Sequence, residues 1–441
     1  MPPIQLLPRL RKQLRRARQP YQQRVREREI AERRLALSTG PAHVSLELTA
    51  RCNLECFHCR RFHVREEYSD VRGVFGAKAV DNVVGDSGYL TPEVFERCLD
   101  LVRDTTTVEL AGYGEPMMNP HFFDYVAALK GRGLHCNTIT NGTLLTEGNV
   151  KKLVDHRFDL ISVSIDGYEK ETLKLVRGLD RDELFDGLER LRREKERRGL
   201  GRGDAPRLSV SFCMARFNIR ELPDLVRHLE RLGLESFYTQ ILETVNADDV
   251  LGKHLIHTDP KIREEAVAIC DDVRRFCEEH GIRHDLRPIP HGGNGDEPEG
   301  VSLDDALAAL RDDVNARMPE KRVYLPVKEI EAEREAAAKA YREARGVHRP
   351  GVLPEVETAK HTDLSAEACA ENERCLDFFR YAFVAWSGKV LSCCFERYPV
   401  GDLNVQTADE VWNGEEYRRL RRSYFEQGIR SVCDGCSKIL A

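Results

Sequence analysis

Short runs in which apolar and polar residues alternate recur along the first two thirds of the chain, and this period of two is typical of β-strands. The predicted strands are HVSLEL (43–48), TVELAG (107–112), LHCNTIT (134–140), LISVSI (160–165), RLSVSF (207–212) and SFYTQIL (236–242). Between most neighbouring strands the apolar residues instead follow the 3.6-residue spacing of a helix. The pattern therefore predicts strands and helices in alternation.

Two of the intervening segments also carry helix boundary signals. TPEVFERCLDLV begins with Thr91 at the N-cap and Pro92 at the first helical position. IRELPDLVRHLERLG ends at Gly233, a residue suited to the turn after a helix. Because parallel strands are joined by helical crossovers, the alternation predicts an α/β fold with a parallel sheet. We expect residues 42–287 to form a partial, TIM-like (β/α)6 barrel.

Residues able to bind metals or cofactors follow the ends of the predicted strands. The first of these loops has the sequence RCNLECFHC and contains Cys52, Cys56 and Cys59. The next three loops contain Gly114 with Glu115, Asn141 and Asp166. In barrels of this type the active site lies beyond the C-terminal ends of the strands. We therefore expect these loops to build one site.

Composition limits the class of protein. The net charge of −6 and the charged fraction of 32% are ordinary, and they indicate neither a nucleic-acid-binding face nor an acidic tail. No apolar run approaches the roughly 18 residues that span a bilayer, and no signal-peptide core is found. These features predict a cytoplasmic protein with reduced thiols. Its fourteen cysteines then indicate metal binding or catalysis more than disulfides.

The N-terminal residues 1–41 are basic, with no acidic residue before Glu27. A transit peptide would have a similar composition. REREIAERRLAL, however, alternates in charge as a solvated helix does. We therefore predict a basic helical arm.

Three closely spaced thiols suit an iron–sulfur cluster, which takes cysteine thiolates as ligands. A four-iron cluster held by three cysteines keeps one iron open for a chelating cofactor or substrate. Zinc is the alternative, with His58 or His63 as a fourth ligand. The triplet alone leaves both metals open.

The C-x3-C-x2-C spacing after the first strand resembles the radical S-adenosylmethionine (SAM) family. Four further segments are similar to that family: GYGEP (112–116), TNG (140–142), VSIDG (163–167) and RFNIRELPDLV (216–226). The resemblance covers about residues 43–245. It favours a four-iron cluster, held by Cys52, Cys56 and Cys59, over zinc.

The resemblance also implies a cofactor and its contacts. In the family, SAM binds the open iron through its amino and carboxylate groups and is reductively cleaved to a 5′-deoxyadenosyl radical. The matching positions for SAM contacts are His58, Gly114, Glu115, Asn141, Ser164, Asp166 and Arg177. His58 replaces the larger aromatic residue usual before the third cysteine. Structural roles stay open for three of them: Asn141 as a turn residue, Asp166 as a helix cap and Arg177 as a surface charge.

The C-terminal part changes character. Residues 288–362 begin Gly/Pro-rich and continue into a charged helical pattern, which predicts an insertion or linker. After it, CLDFFRYAFVAWSGKVLSC predicts a hairpin turning at SGK. Residues 363–441, with Trp-Asn at 412–413 and a final CDGC, resemble the small α+β SPASM/twitch extension of radical SAM enzymes.

That second resemblance implies an auxiliary four-iron cluster in the truncated, twitch form of the extension. Its ligands would be Cys375, Cys393, Cys433 and Cys436. A zinc knuckle is the alternative, since four thiolates suit zinc equally well. Cys394 can substitute for Cys393.

Six cysteines stand outside these two groups and the 393–394 pair. Four fall in helix or strand patterns and are predicted to be buried small hydrophobes: Cys98, Cys136, Cys270 and Cys277. Cys213 and Cys369 are ambiguous. Cys213 and Cys394 are candidates for a thiol that donates a hydrogen atom.

The function expected from the resemblance is a radical SAM oxidoreductase that takes a hydrogen atom from a small polar substrate, such as an aminocyclitol or a sugar. Dehydrogenation assisted by the auxiliary cluster is favoured, because relatives with one such cluster include an aminocyclitol dehydrogenase. The alternatives are peptide modification, a redox-neutral epimerisation or dehydration, and a non-catalytic iron–sulfur sensor. The expected partners are the substrate and a flavodoxin or ferredoxin-type electron donor, without nucleic acid or membrane.

Overall fold

The secondary structure comes from a computed structural model that describes residues 6–59, 88–242, 250–290, 301–317, 332, 376–393 and 399–428. The helices are α1 (Leu6–Ala31), α2 (Pro92–Leu101), α3 (Phe122–Gly131), α4 (Glu147–Asp155), α5 (Lys170–Arg177), α6 (Arg181–Arg197), α7 (Leu222–Arg231), α8 (Pro260–Glu279), α9 (Ala306–Arg317), α10 (Asp377–Arg380), α11 (Ala408–Trp412) and α12 (Glu415–Gln427). The strands are β1 (His43–Leu46), β2 (Thr107–Leu110), β3 (His135–Thr140), β4 (Leu160–Ser164), β5 (Arg207–Met214), β6 (Leu234–Ile241), β7 (Arg283–Asp285), β8 (Tyr381–Val384), β9 (Lys389–Leu391) and β10 (Gly401–Asp402). Within these described ranges, no helix combines the length and apolarity needed to cross a membrane.

The six strands predicted from the alternating pattern are β1 to β6, and the helices between them are also found. Thr91 caps α2, since its side chain accepts a hydrogen bond from the Val94 amide at 3.4 Å. Gly233 follows α7 with φ of +85°, a conformation that glycine adopts without strain. The predicted α/β fold with parallel strands is confirmed.

The chain divides into two compact units that are not continuous in sequence. The first unit contains residues 1–51, 69–137 and 332–441, and the second contains residues 52–68 and 138–331. Strand β3 begins in the first unit and ends in the second. The domain boundaries predicted from composition, at residues 42, 288 and 363, stay a prediction.

In the first unit the strand order is β10-β9-β8-β1-β2. β1 pairs in parallel with β2 on one side and with β8 on the other. β8 and β9 form the antiparallel hairpin predicted around SGK, and Gly388 has φ of +84° in its turn. The parallel pairing of β8 with β1 adds the C-terminal hairpin to the sheet of the N-terminal βα units, which the sequence pattern did not predict.

The Trp-Asn pair at 412–413 and Arg421 fix the C-terminal helices to the segment 35–39, which precedes β1. Trp412 Nε1 donates to a carbonyl of that segment at 2.8 Å. Asn413 exchanges two hydrogen bonds with the Leu37 backbone, at 2.8 and 3.0 Å. Arg421 is fully buried, donates to another carbonyl of the segment at 2.7 Å and lies 4.6 Å above the Trp412 ring. These contacts explain the Trp-Asn signature as a structural one within this unit.

In the second unit the strand order is β4-β5-β6-β7, and the pairs β4–β5, β5–β6 and β6–β7 are all parallel. Alternate residues of β4 to β6 form a buried apolar face: Ile161, Val163, Leu208, Val210, Phe212 and Phe237. Burial of that face against the helices stabilises the sheet. Ser164, Asp166 and Cys213, three of the predicted site residues, lie at the C-terminal ends of β4 and β5.

A second apolar cluster in this unit supports the cysteine loop, defined as residues 52–59. Phe57 is 2% exposed, and its amide donates to the Val176 carbonyl at 2.7 Å. It packs in one cluster with Leu255 and with Leu310 of α9. Its ring also meets the His254 ring edge to face at 6.2 Å. The loop is therefore held by residues about 120 to 250 positions further along the chain.

We expect Phe57→Ala to destabilise the second unit by about 3–5 kcal/mol, because it removes a buried aromatic ring from a packed cluster. Urea unfolding of the ligand-free protein measures this difference. Phe57→Leu is the matched control and is expected to cost less than about 1.5 kcal/mol, since it retains much of the volume. An Ala variant as stable as the Leu variant would contradict the packing described.

Candidate active site

The cysteine loop begins at the residue boundary between the two units and lies in the second. Cys52, Cys56 and Cys59 are each partly exposed. The Cys59 amide donates to the Cys56 carbonyl at 3.1 Å, which closes the turn, and the Leu54 amide lies 3.4 Å from Cys52 Sγ. Among the residues that the structure describes, no three cysteine, histidine or carboxylate side chains already converge in a metal-binding arrangement.

Asp166 is the central charged residue among the site residues of the second unit. Its side chain is 3% exposed, and Oδ2 accepts from Arg177 Nε at 2.7 Å and Nη2 at 2.6 Å. His58 Nε2 lies 3.0 Å from the same oxygen, and Oδ1 accepts from the Cys213 amide at 2.7 Å. Burial alone would raise the pKa of Asp166, but Arg177 and His58 hold that pKa well below its usual range. The carboxylate therefore stays ionised.

Arg177 connects this carboxylate to the cysteine loop. It is 7% exposed, and its Nη1 lies 4.0 Å from Cys56 Sγ. Burial raises the pKa of the Cys56 thiol to about 12, and the nearby Arg177 cation acts in the opposite direction. Arg177 is therefore not a surface charge. Asp166 does not cap the following helix either, since Glu169 is the N-cap residue of α5.

His58 has one nitrogen engaged and one without a partner. Nε2 faces the ionised Asp166 carboxylate, so this nitrogen carries the proton of the pair. Nδ1 is buried and has no hydrogen-bond partner among the described residues. A buried polar atom without a partner is costly, and it is commonly satisfied by a ligand. This atom therefore fits a site that a bound cofactor completes.

Asn141 combines a turn with a contact to the first cysteine. Its Oδ1 accepts from the Thr143 amide at 3.0 Å and from the Thr143 hydroxyl at 2.6 Å. Its Nδ2 donates to Asn53 Oδ1 at 2.9 Å and lies 3.7 Å from Cys52 Sγ. The turn role left open by the sequence is thus present together with a contact to the cysteine loop.

In the first unit, the Gly-Glu-Pro loop follows β2 and lies directly on the backbone that precedes Cys52. A Cβ atom at Gly114 would stand 2.2 Å from the Thr49 carbonyl oxygen, and one at Gly112 would stand 2.3 Å from Glu47 Cγ. The Glu115 amide donates to the Arg51 carbonyl at 2.8 Å. Only glycine allows this close approach at positions 112 and 114.

Two buried carboxylates lie in and beside this loop of the first unit. Glu115 is 2% exposed, and its Oε1 accepts from the Met117 amide at 3.2 Å. Glu47 is 1% exposed and accepts from the Tyr113 amide at 2.8 Å and the Trp386 amide at 3.4 Å. The sequence analysis missed Glu47. Glu47 directly follows β1 and continues its His43-Ser45 alternation, and an acidic residue at that position was the signal that could have identified it.

The remaining predicted residues of the second unit lie at strand ends. Ser164 ends β4 and accepts from the Ser211 hydroxyl at 3.1 Å. Cys213 lies near the end of β5, partly exposed, and its amide is bound to Asp166. The structure thus gathers the cysteine loop, Asn141, Ser164, Asp166, Arg177 and Cys213 in the second unit, whereas Gly114 and Glu115 lie in the first.

Of the predicted auxiliary ligands, only Cys393 lies within the described residues. It is partly exposed and follows β9 of the hairpin. Cys375, Cys433, Cys436 and the alternative ligand Cys394 lie outside the described residues, as do Cys369 and His63. The four cysteines predicted to be small hydrophobes are buried: Cys98, Cys136, Cys270 and Cys277.

The residues present fit an iron–sulfur cluster with a chelating cofactor. Three thiols stand in one loop, and a buried guanidinium beside Cys56 compensates the negative charge that thiolate ligands bring. An unpartnered imidazole nitrogen is available on the same loop.

Comparison with known families agrees with this donor set. The family model of the Radical SAM superfamily matches residues 46–229. A model described as an iron–sulfur cluster-binding domain, SPASM, matches residues 375–437. The iron–sulfur and SAM cofactors predicted from the sequence are thereby confirmed over zinc.

Two curated relatives differ in how much of the chain they match. The tungsten-containing aldehyde ferredoxin oxidoreductase cofactor-modifying protein of Pyrococcus furiosus is 27% identical over 213 residues, 47% of this chain and 53% of that protein. The chain thus spans about half the length of that relative. The AdoMet-dependent heme synthase of Methanosarcina barkeri is 24% identical over 413 residues, 91% of this chain and 93% of that protein.

A solved structure supports the fold. Streptococcus suis SuiB bound to the precursor peptide SuiA superposes with a TM-score of 0.52 at 12% identity, covering 94% of this chain and 75% of that chain. At this identity the likeness concerns the fold alone. The two family-model matches therefore identify a radical SAM domain at residues 46–229 and a C-terminal iron–sulfur cluster-binding SPASM domain at residues 375–437 of this chain.

Proposed function

We propose that the protein is an enzyme that reductively cleaves SAM and removes a hydrogen atom from a small polar substrate, most simply a sugar or an aminocyclitol. The cluster held by Cys52, Cys56 and Cys59 would supply the electron that breaks the sulfonium bond. The observation that carries the proposal is the buried Asp166–Arg177 pair, which contacts the same loop as the three thiols. The family match over residues 46–229 supports it.

The chain's own residues would orient SAM and exclude water. Arg177 is fixed by two hydrogen bonds to Asp166, so its charge is held beside Cys56 without a mobile side chain. Ser164 and Asp166 would line the ribose and carboxylate side of SAM. The unpartnered Nδ1 of His58 would be available to a polar group of the cofactor.

Glu115 would bind the amino group of SAM. A buried carboxylate is costly unless it meets donors, and the Met117 amide supplies one at 3.2 Å. A positively charged amino group would be a stronger partner, because hydrogen bonds between charged groups are the strong ones. Gly114 contributes by letting this loop lie against the backbone of residues 49–51.

We further propose that the SPASM domain holds one four-iron cluster through Cys375, Cys393, Cys433 and Cys436, and that the net reaction is a dehydrogenation. The substrate would lose a hydrogen atom to the 5′-deoxyadenosyl group, then a proton to a base and an electron to this cluster. A flavodoxin or ferredoxin-type protein would supply the electron for SAM cleavage. The match over residues 375–437 includes all four cysteines.

A second function is favoured by one observation. The heme synthase of Methanosarcina barkeri matches 91% of this chain and 93% of its own length, so both domains are shared. Haem formation is therefore the alternative activity. Haem can be extracted and measured from cells that express the chain and from cells that express a variant without the three loop cysteines. More haem in the first cells only would favour haem formation over the dehydrogenation.

Anaerobically reconstituted protein is expected to bind two four-iron clusters, about eight irons per chain. Replacing Cys52, Cys56 and Cys59 together by Ala should halve the iron, because one cluster loses its ligands. Iron and sulfide analysis measures both. Cys98→Ala, a buried cysteine outside either group, is the control that should keep the full content. Stoichiometric zinc without iron would rule out the proposal.

With a strong reductant and SAM, the protein should form 5′-deoxyadenosine slowly even without substrate, whereas the triple Ala variant should form none.

Glu115→Gln should weaken SAM binding by about tenfold or more, because a charge-assisted hydrogen bond is worth roughly 1.5–3 kcal/mol. Equilibrium dialysis with SAM measures the affinity. Gln can still accept from the Met117 amide, so the turn is kept. Unchanged affinity in this variant would remove Glu115 from the site.

Once a substrate is found, a reaction in D2O distinguishes the possible net reactions. Dehydrogenation should give a product lighter by two hydrogen atoms, with the substrate's carbinol hydrogen recovered in 5′-deoxyadenosine. Mass spectrometry of both products tests this. A product of unchanged composition with one deuterium on carbon would indicate epimerisation, with a thiol such as that of Cys213 or Cys394 as the hydrogen donor.

A further inference from the structure

In the part of the chain that the structure describes, Arg421 of α12 is a buried cation without an ion-pair partner. It is 0% exposed. Its Nε donates to the Phe378 carbonyl at 3.0 Å and its Nη1 to the Leu35 carbonyl at 2.7 Å. Nη2 is buried and has no hydrogen-bond partner among the described residues. Carbonyl oxygens satisfy two of the guanidinium nitrogens, but they do not supply the counter-charge that a buried cation normally has.

The groups around Arg421 stabilise its charge only in part. Its guanidinium carbon lies 4.6 Å from the Trp412 ring centroid and 5.1 Å from that of Tyr417, distances at which a ring attracts a cation. Burial nevertheless lowers the pKa of Arg421 to about 9, and the Arg418 cation acts in the same direction. Tyr417 and Glu29 act in the opposite direction, but Glu29 is already engaged by a backbone amide at 2.7 Å. A further negative charge nearby would therefore stabilise the cation.

Ser392 is a second buried donor without a partner in the first unit. It follows β9 and directly precedes Cys393, the one predicted auxiliary ligand within the described residues. Ser392 is 0% exposed, and its Oγ has no hydrogen-bond partner among the described residues. Native proteins rarely bury a hydroxyl in this state, and a bound group is one explanation of it. The hydroxyl is therefore available to a group held by Cys393.

Tyr417 joins the surroundings of Arg421 to the hairpin that bears Cys393. Its hydroxyl lies 3.3 Å from the Tyr381 carbonyl oxygen and 3.5 Å from that of Leu391. Leu391 precedes Cys393 by two residues. Burial raises the pKa of Tyr417, the Arg421 cation lowers it and Cys393 raises it, so both groups act electrostatically on one hydroxyl. Arg421 is therefore close enough to Cys393 to affect a charge that is bound there.

A four-iron cluster with four thiolate ligands would supply the missing negative charge. Its overall charge is negative in the oxidised form and becomes more negative by one unit on reduction. The reduction potential of such a cluster depends on net charge, on hydrogen bonds to its sulfurs and on solvent exposure. A fixed cation and a hydroxyl donor beside the cluster both stabilise the reduced form more than the oxidised form. They would therefore raise the potential.

We propose that Arg421 and Ser392 raise the reduction potential of the auxiliary cluster, Arg421 through its charge and Ser392 through a hydrogen bond to a sulfur. This inference rests on the proposed function, because it requires the four-iron cluster assigned to the SPASM domain. It deepens that function, since a higher potential suits the auxiliary cluster to take up the electron released in a dehydrogenation. Both residues act through the cluster and not on the substrate.

The full-length variant in which Cys52, Cys56 and Cys59 are replaced by Ala isolates the auxiliary cluster, because it lacks the ligands of the other one. After anaerobic reconstitution, a redox titration followed by electron paramagnetic resonance measures the midpoint potential. Adding Arg421→Met should lower the equilibrium constant for reduction about tenfold or more, a shift of about 59 mV for one electron. Adding Ser392→Ala should lower the potential by a smaller amount, because a neutral donor is lost and not a charge.

Two further variants separate charge and hydrogen bonding from general structural effects. Arg421→Lys keeps the cation but loses the planar set of donors, so its potential should stay closer to the parent's than that of Arg421→Met. Ser387→Ala is the matched control for Ser392→Ala. The Ser387 Oγ is also buried without a partner among the described residues, but it lies in the hairpin turn, at the other end of β9 from Cys393. Its removal should leave the potential unchanged.

Each unexpected result would overturn a stated part of the proposal. An unchanged potential in Arg421→Met or in Ser392→Ala would overturn the role of that residue. Equal shifts in Arg421→Lys and Arg421→Met would show that charge is not the cause, and a shift in Ser387→Ala equal to that in Ser392→Ala would exclude a specific hydrogen bond. If Arg421→Met does not retain iron, Arg421→Gln replaces it. Loss of iron in both would show that Arg421 is needed for cluster assembly and would overturn its effect on the potential.

Iron and sulfide analysis of the parent triple variant separates failure of this inference from failure of the proposed function. About four irons per chain, with the same potential in all variants, would keep the auxiliary cluster and reject only the effect of Arg421 and Ser392. A parent variant without iron would mean that the auxiliary cluster of the proposed function is absent.

Discussion

The second unit's site depends on the interactions of one buried carboxylate, that of Asp166. A charge with 3% exposure needs partners, and Arg177, His58 and the Cys213 amide supply them. Each partner comes from a different element: α5, the cysteine loop and β5. Pairing one carboxylate therefore fixes the loop's histidine, a cation beside Cys56 and the end of a neighbouring strand. Loss of Asp166 would leave Arg177 as an unpaired buried cation.

The first unit depends on close backbone contacts instead of a buried ion pair. Gly112 and Gly114 let the loop after β2 lie on residues 47–51, where any side chain would collide. The Arg51 carbonyl that accepts from the Glu115 amide directly precedes Cys52 in the chain. The two glycines thus fix the loop after β2 against the three residues that precede Cys52 in the chain.

The sequence predicted the strands, the hairpin around SGK and the residues of the three-cysteine loop, because these depend on local periodicity, turn residues and spacing. It did not predict the cluster around Phe57, whose partners Leu255 and Leu310 are remote in sequence and have no local signature. It also left Arg177 open as a surface charge. Whether an arginine is buried depends on where its partner lies in the fold. The periodicity of apolar residues in the sequence does not show this.

Selectivity in such a protein must come from side chains that are not part of the radical chemistry. Relatives named for haem synthesis and for modification of a tungsten enzyme's cofactor are 24% and 27% identical to this chain, over 413 and 213 residues respectively. A 5′-deoxyadenosyl radical abstracts hydrogen from many C–H bonds, so the protein chooses the substrate by binding and orienting it. On the second unit's sheet, the hydroxyl groups of Ser209, Ser211 and Tyr238 lie on the same face as Ser164, one of the predicted SAM contacts. Since these hydroxyls are fixed by their own hydrogen bonds, they would lose little entropy if a ligand bound to them. Preorganised hydroxyl groups favour a ligand whose own hydrogen-bonding groups match their positions.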